Sequence, residues 1–290
     1  MFGILNINKP PGWTSRDAVN RVQRLVRPHK VGHAGTLDPL ATGVLVVCLG
    51  RATRLIPYIQ QMPKAYQATF LLGRTSASDD IETEVTELTN NHVPSLAEIE
   101  FALPQFVGRI DQVPPAYSAV KIAGQRAYAL ARRGKEVTIT PRPVEIYDID
   151  VTAYIYPRLE LTIRCGSGTY IRSLGRDFAH RLGTGAVMSE LTRTSIGSFD
   201  VANSLAILDL NLDQIHAHLH PPATAVSHLP SLTIKPDQLI ELRFGRAIAA
   251  PAGWTHAICA AHDEQGNLIA LLEEKSPGLL KPHINFAPSA

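Results

Sequence analysis

The sequence predicts an α+β protein that ends in a small all-β module, and three patterns carry this prediction. The apolar run Val44–Leu49 lies between two glycines, which is typical of a buried strand. Apolar residues over 18–26 recur at helical spacing. Short alternating segments separated by glycines follow Ser231. A length of 290 residues, with 45% hydrophobic and 19% charged residues, fits one large globular domain followed by a smaller one.

The first half of the chain alternates between strand and helix patterns. Residues 2–8 alternate as a strand until two prolines end it, and Thr14 with Asp17 forms a capping-box pattern before the first helix. A short helix is predicted over 52–61 and a strand over 66–72. Ser95, with Glu98 three residues later, is expected to cap a helix over 95–106.

The second half repeats this alternation, with two irregular stretches. Strands are predicted over 144–153, 159–165 and 187–195, and a helix over 170–182. Residues 107–142 have few apolar runs, so we expect an excursion from the sheet with a short helix near 126–133. Residues 217–230, rich in Pro, Ala and His, are expected to form a solvated linker. The spacing of its histidines does not suit a metal site.

The charge is unevenly distributed, although the net charge is only +2. Residues 1–54 carry eight Lys or Arg against two Asp, and residues 119–142 carry six against one Glu. Residues 79–100 hold seven acids and no Lys or Arg. This pattern predicts a polyanion-binding face with an acidic back or flank, although ordinary solvated helix faces would produce it too.

The sequence favours a cytoplasmic protein. No apolar stretch approaches the roughly 20 residues that span a bilayer, and the N-terminus lacks the pattern of a secretory signal. The three cysteines are far apart and are expected to be reduced core residues.

Three separated segments could supply chemistry. Asp38 lies on a glycine-punctuated loop before the buried strand, Tyr66 lies at a strand start, and Tyr170 and Arg172 follow a glycine-rich turn. An arginine facing Asp38 would keep the carboxylate ionised and lower its pKa by charge attraction. Tyrosine rings can hold an extruded base by stacking.

These segments resemble the motifs of bacterial TruB-type tRNA pseudouridine synthases. The resemblance covers about residues 1–200 in the correct order. Its motifs are the catalytic motif at 32–43, the opening motif at 8–15, the RNA-gripping insertion at 114–121 and 124–128, and the arginine motif at 168–174. The chain departs from the usual catalytic motif at Ala34, where Thr is common, and at Thr36, where Ala is common.

The resemblance implies the pseudouridine synthase fold, a mixed and mostly antiparallel sheet flanked by helices. It implies a catalytic domain over 1–228, with a thumb-like RNA-binding insertion at about 107–142. The module over 229–290 is then expected to be a PUA-like β-barrel, mostly on the grounds of family architecture and position.

The implied activity is isomerisation of uridine to pseudouridine at position 55 in the T-loop of tRNA, without metal or cofactor. Asp38 would be the essential carboxylate, oriented by Arg172, and Tyr66 would stack on the uracil and help remove the C5 proton. Asp38 could add to C1′ of the ribose, add to C6 of the base, or remove a ribose proton, and these routes stay open.

The resemblance also assigns substrate-binding roles. Tyr170 and Leu191 would line the pocket; core packing explains Tyr170 as well as pocket lining does, and Leu191 is expected in the core in either case. His33 would occupy the space that the flipped base vacates. Three basic residues are expected to contact RNA phosphates, although solvated surface charges would explain them too: Lys9, Lys64 and Arg126. The expected partner is the T-arm of tRNA. The protein is expected to act as a monomer and not to bind a membrane.

Two other functions compete with this one. A guide-RNA-dependent enzyme of the dyskerin type would have a similar catalytic motif, and a non-enzymatic tRNA-binding or folding module would not need Asp38. The thumb-like insertion and the start at Met1 favour the stand-alone enzyme.

Overall fold

The computed structural model describes residues 1–89, 91–118 and 139–287, together with the backbone of 121–122 and 125–126. Its strands are β1 (Gly3–Lys9), β2 (Val31–His33), β3 (Thr42–Leu49), β4 (Lys64–Leu72), β5 (Arg74–Ser76), β6 (Val85–Glu87), β7 (Gly108–Gln112), β8 (Lys121–Ile122), β9 (Gln125–Arg126), β10 (Arg142–Ile155), β11 (Arg158–Cys165), β12 (Ala186–Ile196), β13 (Phe199–Asp200), β14 (Leu205–Ala206), β15 (Ser231–Thr233), β16 (Ile248–Ala249), β17 (Ile258–His262), β18 (Leu268–Ser276) and β19 (Leu279–Asn285). The helices are α1 (Ser15–Leu25), α2 (Ile56–Gln61), α3 (Leu96–Ala102), α4 (Ile171–Arg181), α5 (Leu212–Ala217) and α6 (Pro236–Arg243). Short 3₁₀ turns cover Gly50–Leu55, Leu103–Phe106, Val201–Asn203 and Pro222–Val226.

A mixed sheet forms the centre of the molecule. Its strand order is β14-β1-β3-β12-β4-β11-β10-β7, with β2 beside β3 and β13 beside β12. The β3–β12 and β1–β14 pairs are parallel, and the other pairs in this sheet are antiparallel. The sheet is therefore mixed and mostly antiparallel, as expected.

The apolar sequence of β3 is explained by its position. Residues Val44–Leu49 are all fully buried, because their alternate side chains enter two different cores on opposite faces of the sheet. One of these cores also contains Ala18 and Val22 of α1. The predicted capping box of Thr14 and Asp17 is present at the start of that helix. The Asp38 loop therefore connects to a strand that is packed on both sides.

Two expectations about the irregular stretches differ from the structure. Residues 107–142 do not leave the sheet at once, since β7 pairs with β10 as its edge strand. The helix predicted near 126–133 lies outside the described residues. The expected linker is not simply solvated, because Ala225 and Val226 are buried and His220 pairs through its backbone with Ile4. In both places, tertiary packing fixes segments whose polar composition resembles a loop.

The C-terminal module contains a five-stranded sheet of order β15-β17-β18-β19-β16. It also contains α6, which the sequence analysis did not predict and which begins at Pro236, a favoured first residue of a helix. Phe286 of the module packs on Phe2, with ring centroids 5.1 Å apart. A shared apolar core joins Ile284 and Phe286 to Ile4 and Val44. The boundary at 228/229 stays a prediction, and apolar packing crosses it.

Candidate active site around Asp38

Lys9 holds the Asp38 loop from the end of β1. Its ammonium group donates to the carbonyls of Pro10 (2.9 Å), Trp13 (2.6 Å) and Pro39 (3.2 Å). The side chain is fully buried, and burial lowers the pKa of Lys9 to about 8. The expected contact of Lys9 with an RNA phosphate is therefore not supported, because the ammonium group is enclosed by backbone carbonyls.

The rest of the opening motif also holds this loop. The Ser15 hydroxyl donates to the Leu37 carbonyl at 3.1 Å and accepts from the Leu37 N–H at 2.8 Å. The Gly12 N–H donates to the Pro39 carbonyl at 2.8 Å. These bonds fix the residues immediately before and after Asp38. The opening motif therefore acts in this structure as a scaffold for the loop.

Asp38 forms an ion pair with Arg172, as the sequence suggests. The distance from Arg172 Nε to Asp38 Oδ2 is 3.0 Å, and 34% of the Asp38 side chain stays exposed. The pKa of Asp38 is nevertheless raised, because loss of hydration outweighs the attraction of Arg172 and the nearby Asp80 adds repulsion. The expectation of a lowered pKa was wrong, because the loss of hydration on burial has a larger effect than the attraction of Arg172, and Asp80 adds to it.

Arg172 is buried and contacts several groups besides Asp38. Its Nη1 lies 3.2 Å from Oδ2 of Asp80 and donates to the Ser78 carbonyl at 2.8 Å. Its Nη2 donates to the Tyr117 carbonyl at 3.1 Å. Arg172 lies in the first turn of α4, and these contacts fix its guanidinium plane from three sides. The carboxylate of Asp38 thus meets a guanidinium group that is already held in place.

The sequence analysis missed Asp80, which lies in the stretch interpreted as an acidic flank. Its side chain is fully buried, and its Oδ1 accepts from the Ser78 hydroxyl at 2.5 Å and from the Glu82 N–H at 3.0 Å. Backbone bonds from Ile81 and to Asp79 attach this segment to Met188 of β12. No local pattern in the sequence marks this residue, because its contact with Arg172 is made only by the fold.

Tyr66 and Leu191 lie together in the core beside the Asp38 loop. Each is 7% exposed, and both belong to the apolar cluster that includes Leu37 and Ala41. Burial raises the pKa of the Tyr66 hydroxyl, and the positive charge of Arg193 opposes this rise. The structure therefore brings an aromatic ring and an apolar side chain beside the loop that carries Asp38.

Tyr170 precedes α4 and is half-buried. Its N–H donates to the Gln112 side chain at 2.8 Å, and the Gln112 amide donates back to the Tyr170 carbonyl at 3.1 Å. This reciprocal pair joins the start of the Arg172 helix to the end of β7. Tyr170 also lies close enough for the charge of Asp38 to contribute to the raised pKa of its hydroxyl, behind the larger effect of burial.

The three remaining residues predicted to bind substrate are His33, Lys64 and Arg126, and they do not share one environment. His33 ends β2 and is half-buried, and burial lowers its pKa. Lys64 is buried, and its ammonium group donates to the carbonyls of Gln60 (2.5 Å) and Met62 (2.7 Å) at the end of α2. The expected phosphate contact of Lys64 is therefore not supported either. The side chain of Arg126 lies outside the described residues.

Comparison with known proteins decides the family. The family model described as "TruB family pseudouridylate synthase (N terminal domain)" matches residues 23–171. The chain belongs to this family of pseudouridylate synthases, and it is accordingly an isomerase. A relative from Arthrobacter sp. (strain FB24), named tRNA pseudouridine synthase B, is 40% identical and covers 100% of this chain and 98% of the relative. A relative of the same name from Synechocystis sp. (strain ATCC 27184 / PCC 6803 / Kazusa) is 44% identical over 82% of each chain.

Solved structures agree with this family. The structure titled "Crystal Structure of a Cbf5-Nop10-Gar1 Complex" matches with a TM-score of 0.78 and 28% identity, over 99% of this chain and 85% of that chain. The predicted fold class, including the PUA-like C-terminal module, is confirmed by this likeness and by the mixed sheet. Among the residues that the structure describes, no helix is long and apolar enough to cross a membrane.

Proposed function

We propose that this protein converts uridine to pseudouridine at position 55 in the T-loop of tRNA, with Asp38 as the essential carboxylate. The observation that carries the proposal is the 3.0 Å pair of Asp38 and Arg172, which leaves a third of the Asp38 side chain exposed. Tyr66 and Leu191 lie beside it. The near full-length relatives that are named for tRNA support tRNA as the substrate class.

The chemistry requires a carboxylate that is ionised and reachable. The C1′–N1 bond breaks, the uracil turns while it is held, and C5 bonds to C1′; C5 then loses a proton while N1 gains one. Asp38 would add to C1′, add to C6 or remove a ribose proton, and each route starts from its ionised form. Arg172 opposes the effect of burial on the pKa of Asp38 and thereby favours this form.

The neighbouring residues suit a flipped uridine. The buried ring of Tyr66 provides a stacking surface, and Tyr170 and Leu191 would complete the pocket. His33 would occupy the space that the base leaves in the RNA. The expected phosphate contact of Arg126, and the basic cluster of residues 119–142 around it, stay predictions from the sequence. We further propose that the enzyme acts on the T-arm as a cytoplasmic monomer.

The test is release of tritium from tRNA that carries uridine labelled at C5. We expect Asp38→Asn to bind tRNA with unchanged affinity and to lose release by at least about 1,000-fold, because an amide cannot replace a reacting carboxylate. Asp209→Asn, at an exposed aspartate, is the matched control and should behave as the wild type. Release by Asp38→Asn at the wild-type rate would exclude the proposal. A tRNA with cytidine at position 55 checks the target site.

The likeness to a solved complex titled "Structure of H/ACA RNP bound to a substrate RNA containing 2'-deoxyuridine", at 26% identity and a TM-score of 0.76, keeps a guide-dependent enzyme as a second candidate. Identity of 40% over the full length of a relative named for tRNA favours the stand-alone enzyme. Activity on a naked tRNA transcript, without guide RNA or added protein, separates the two. A non-enzymatic tRNA-binding or folding module would instead keep its function in Asp38→Asn.

A further inference from the structure

Arg193 is the largest side chain that is fully buried among the described residues, with 1% exposure. A buried guanidinium group is usually neutralised by a carboxylate. The three hydrogen bonds that the structure shows for Arg193 all go to backbone carbonyls instead. An arginine in this environment costs free energy, since its charge loses hydration. Such a costly residue is expected to serve a purpose beyond filling space.

Two of the three carbonyls lie in the loop before Asp38, and the third lies in β3, the strand that follows the loop. Arg193 Nη2 donates to Gly35 at 3.1 Å and Nη1 donates to Thr36 at 3.4 Å, two residues before Asp38. Its Nε donates to Val44 at 2.8 Å, six residues after Asp38. The guanidinium group therefore joins the beginning of the loop to the strand that follows it, and Asp38 lies on the segment between them.

Two glycines with positive φ lie in the loop backbone beside Arg193. Gly43 has a φ of +95°, and a Cβ there would lie 2.2 Å from the Arg193 carbonyl oxygen, so a larger residue could not fit. Gly35 has a φ of +104°, and a Cβ there would lie 3.6 Å from Arg193 Nη1. Gly43 allows the chain to approach the β12 backbone closely, and the positive φ of Gly35 lets the loop turn so that its carbonyl faces the guanidinium group.

The strand register connects Arg193 to a second residue of the site. On β12, Arg193 is paired with Tyr66 of β4 on one side and with Gly43 of β3 on the other. The same residue thus lies between the strand that carries the aromatic ring and the strand that follows the Asp38 loop. Its position is fixed by two neighbouring strands of the central sheet.

We propose that Arg193 is a positioning residue that holds the Asp38 loop closed, so that the carboxylate meets Arg172 and the substrate in the reactive geometry. This inference rests on the proposed function. Lysine cannot replace it, because one ammonium group lacks the planar fork that reaches carbonyls on both sides of Asp38. Neither Arg193 nor its three partners needs to touch the RNA for this role.

The test measures single-turnover tritium release, tRNA affinity and thermal unfolding for Arg193→Lys and Arg193→Met. We expect unchanged affinity and a rate reduced by about 10-fold in Arg193→Lys and about 100-fold in Arg193→Met, the loss that follows from a displacement near 1 Å. Ile215→Ala is the control for lost stability. It opens a cavity at a fully buried position in the core that also contains α1. It should lower the melting temperature without lowering the single-turnover rate.

A double variant separates positioning from general stabilisation. If Arg193 acts through the Asp38–Arg172 pair, adding Arg193→Lys to the Arg172→Lys variant should lower its rate by less than about threefold. The reason is that the pair is already disrupted in the Arg172→Lys variant. Full additivity would overturn the proposal, as would a wild-type rate in Arg193→Met. Failure of both single variants to fold would also overturn it, since Arg193 would then serve the whole fold. An inactive wild type would instead contradict the proposed function.

Discussion

The Asp38 loop and the segment Ser78–Glu82 each bring a carboxylate to Arg172, but the two carboxylates have different surroundings. Asp38 is 34% exposed, whereas Asp80 is fully buried. The Asp38 side chain is partly exposed on its loop, whereas the protein encloses the Asp80 side chain on all sides. One arginine therefore contacts both an exposed carboxylate, to which the proposed function assigns the reaction, and a carboxylate that the protein encloses.

Removing the guanidinium group that Asp38 and Asp80 share should lower the reaction rate more than the other changes considered below. Arg172→Lys keeps the positive charge but loses the geometry that joins Asp38 to Asp80. We expect the single-turnover rate to fall by at least about 100-fold, since a misplacement near 1 Å at the reacting groups costs about that much. Tritium release measures the rate, and filter binding should show unchanged tRNA affinity.

A matched control is available for this substitution. Arg158→Lys changes an arginine that also bonds two carboxylates, those of Glu160 and Glu190, on β11. Its ion pairs are exposed, so it should alter neither the rate nor the affinity measurably. An equal loss of rate in the two variants would mean that the contacts of Arg172 are not specific to the reaction.

Replacing the enclosed carboxylate should have the second largest effect. In Asp80→Asn the amide that replaces Oδ2 would direct a donor toward Arg172 Nη1, which is itself a donor 3.2 Å away. We expect the rate to fall about 10- to 100-fold and stability to fall by about 1–3 kcal/mol, the cost of unpaired buried polar groups. Single-turnover release and urea unfolding measure the two effects. A wild-type rate would show that Asp80 does not influence the reacting pair.

These two carboxylates also show how far sequence reasoning reaches. The Asp38 loop was predictable, because its residues are contiguous, rich in glycine and resemble a known motif. Asp80 was not, because its role depends on a contact with a helix that starts some ninety residues later, in a stretch whose charge resembles a solvated surface. Lys9 and Lys64 show the opposite error: their charge suggested RNA contact, but backbone carbonyls surround them.

The different surroundings of the two carboxylates predict opposite changes in stability when each is replaced by an amide: a loss for Asp80→Asn and a gain for Asp38→Asn. Burial raises the folded-state pKa of Asp38 above its ordinary 3.8, so the folded protein holds the proton more tightly than the unfolded chain. Ionised Asp38 therefore lowers stability as the pH rises through this window. At pH 7, Asp38→Asn should be more stable than the wild type, by less than about 1 kcal/mol because the group is partly hydrated.

Urea unfolding at a series of pH values tests this sign. The difference between Asp38→Asn and the wild type should shrink as the pH falls through the raised folded-state pKa, and it should vanish well below pH 3.8, where the wild-type carboxylate is protonated in both states. A variant that is less stable than the wild type at pH 7 would mean that the attraction of Arg172 outweighs the loss of hydration. Asp38 would then resemble Asp80 and would not have the character of an exposed reacting group.

The smallest change in rate is expected at the direct contact between the Asp38 loop and the segment Ser78–Glu82. The Glu82 carboxylate accepts a hydrogen bond from the Leu40 N–H at 3.1 Å, and its side chain is exposed. Glu82→Gln keeps an acceptor, so the single-turnover rate should change by less than about threefold, the size of an exposed charge contribution. Because Glu82 lies two residues from Asp80, it is also the control for nearby negative charge. If Glu82→Gln slowed the reaction as much as Asp80→Asn, the general field of the acidic segment, and not the buried contact with Arg172, would set the reactivity of Asp38.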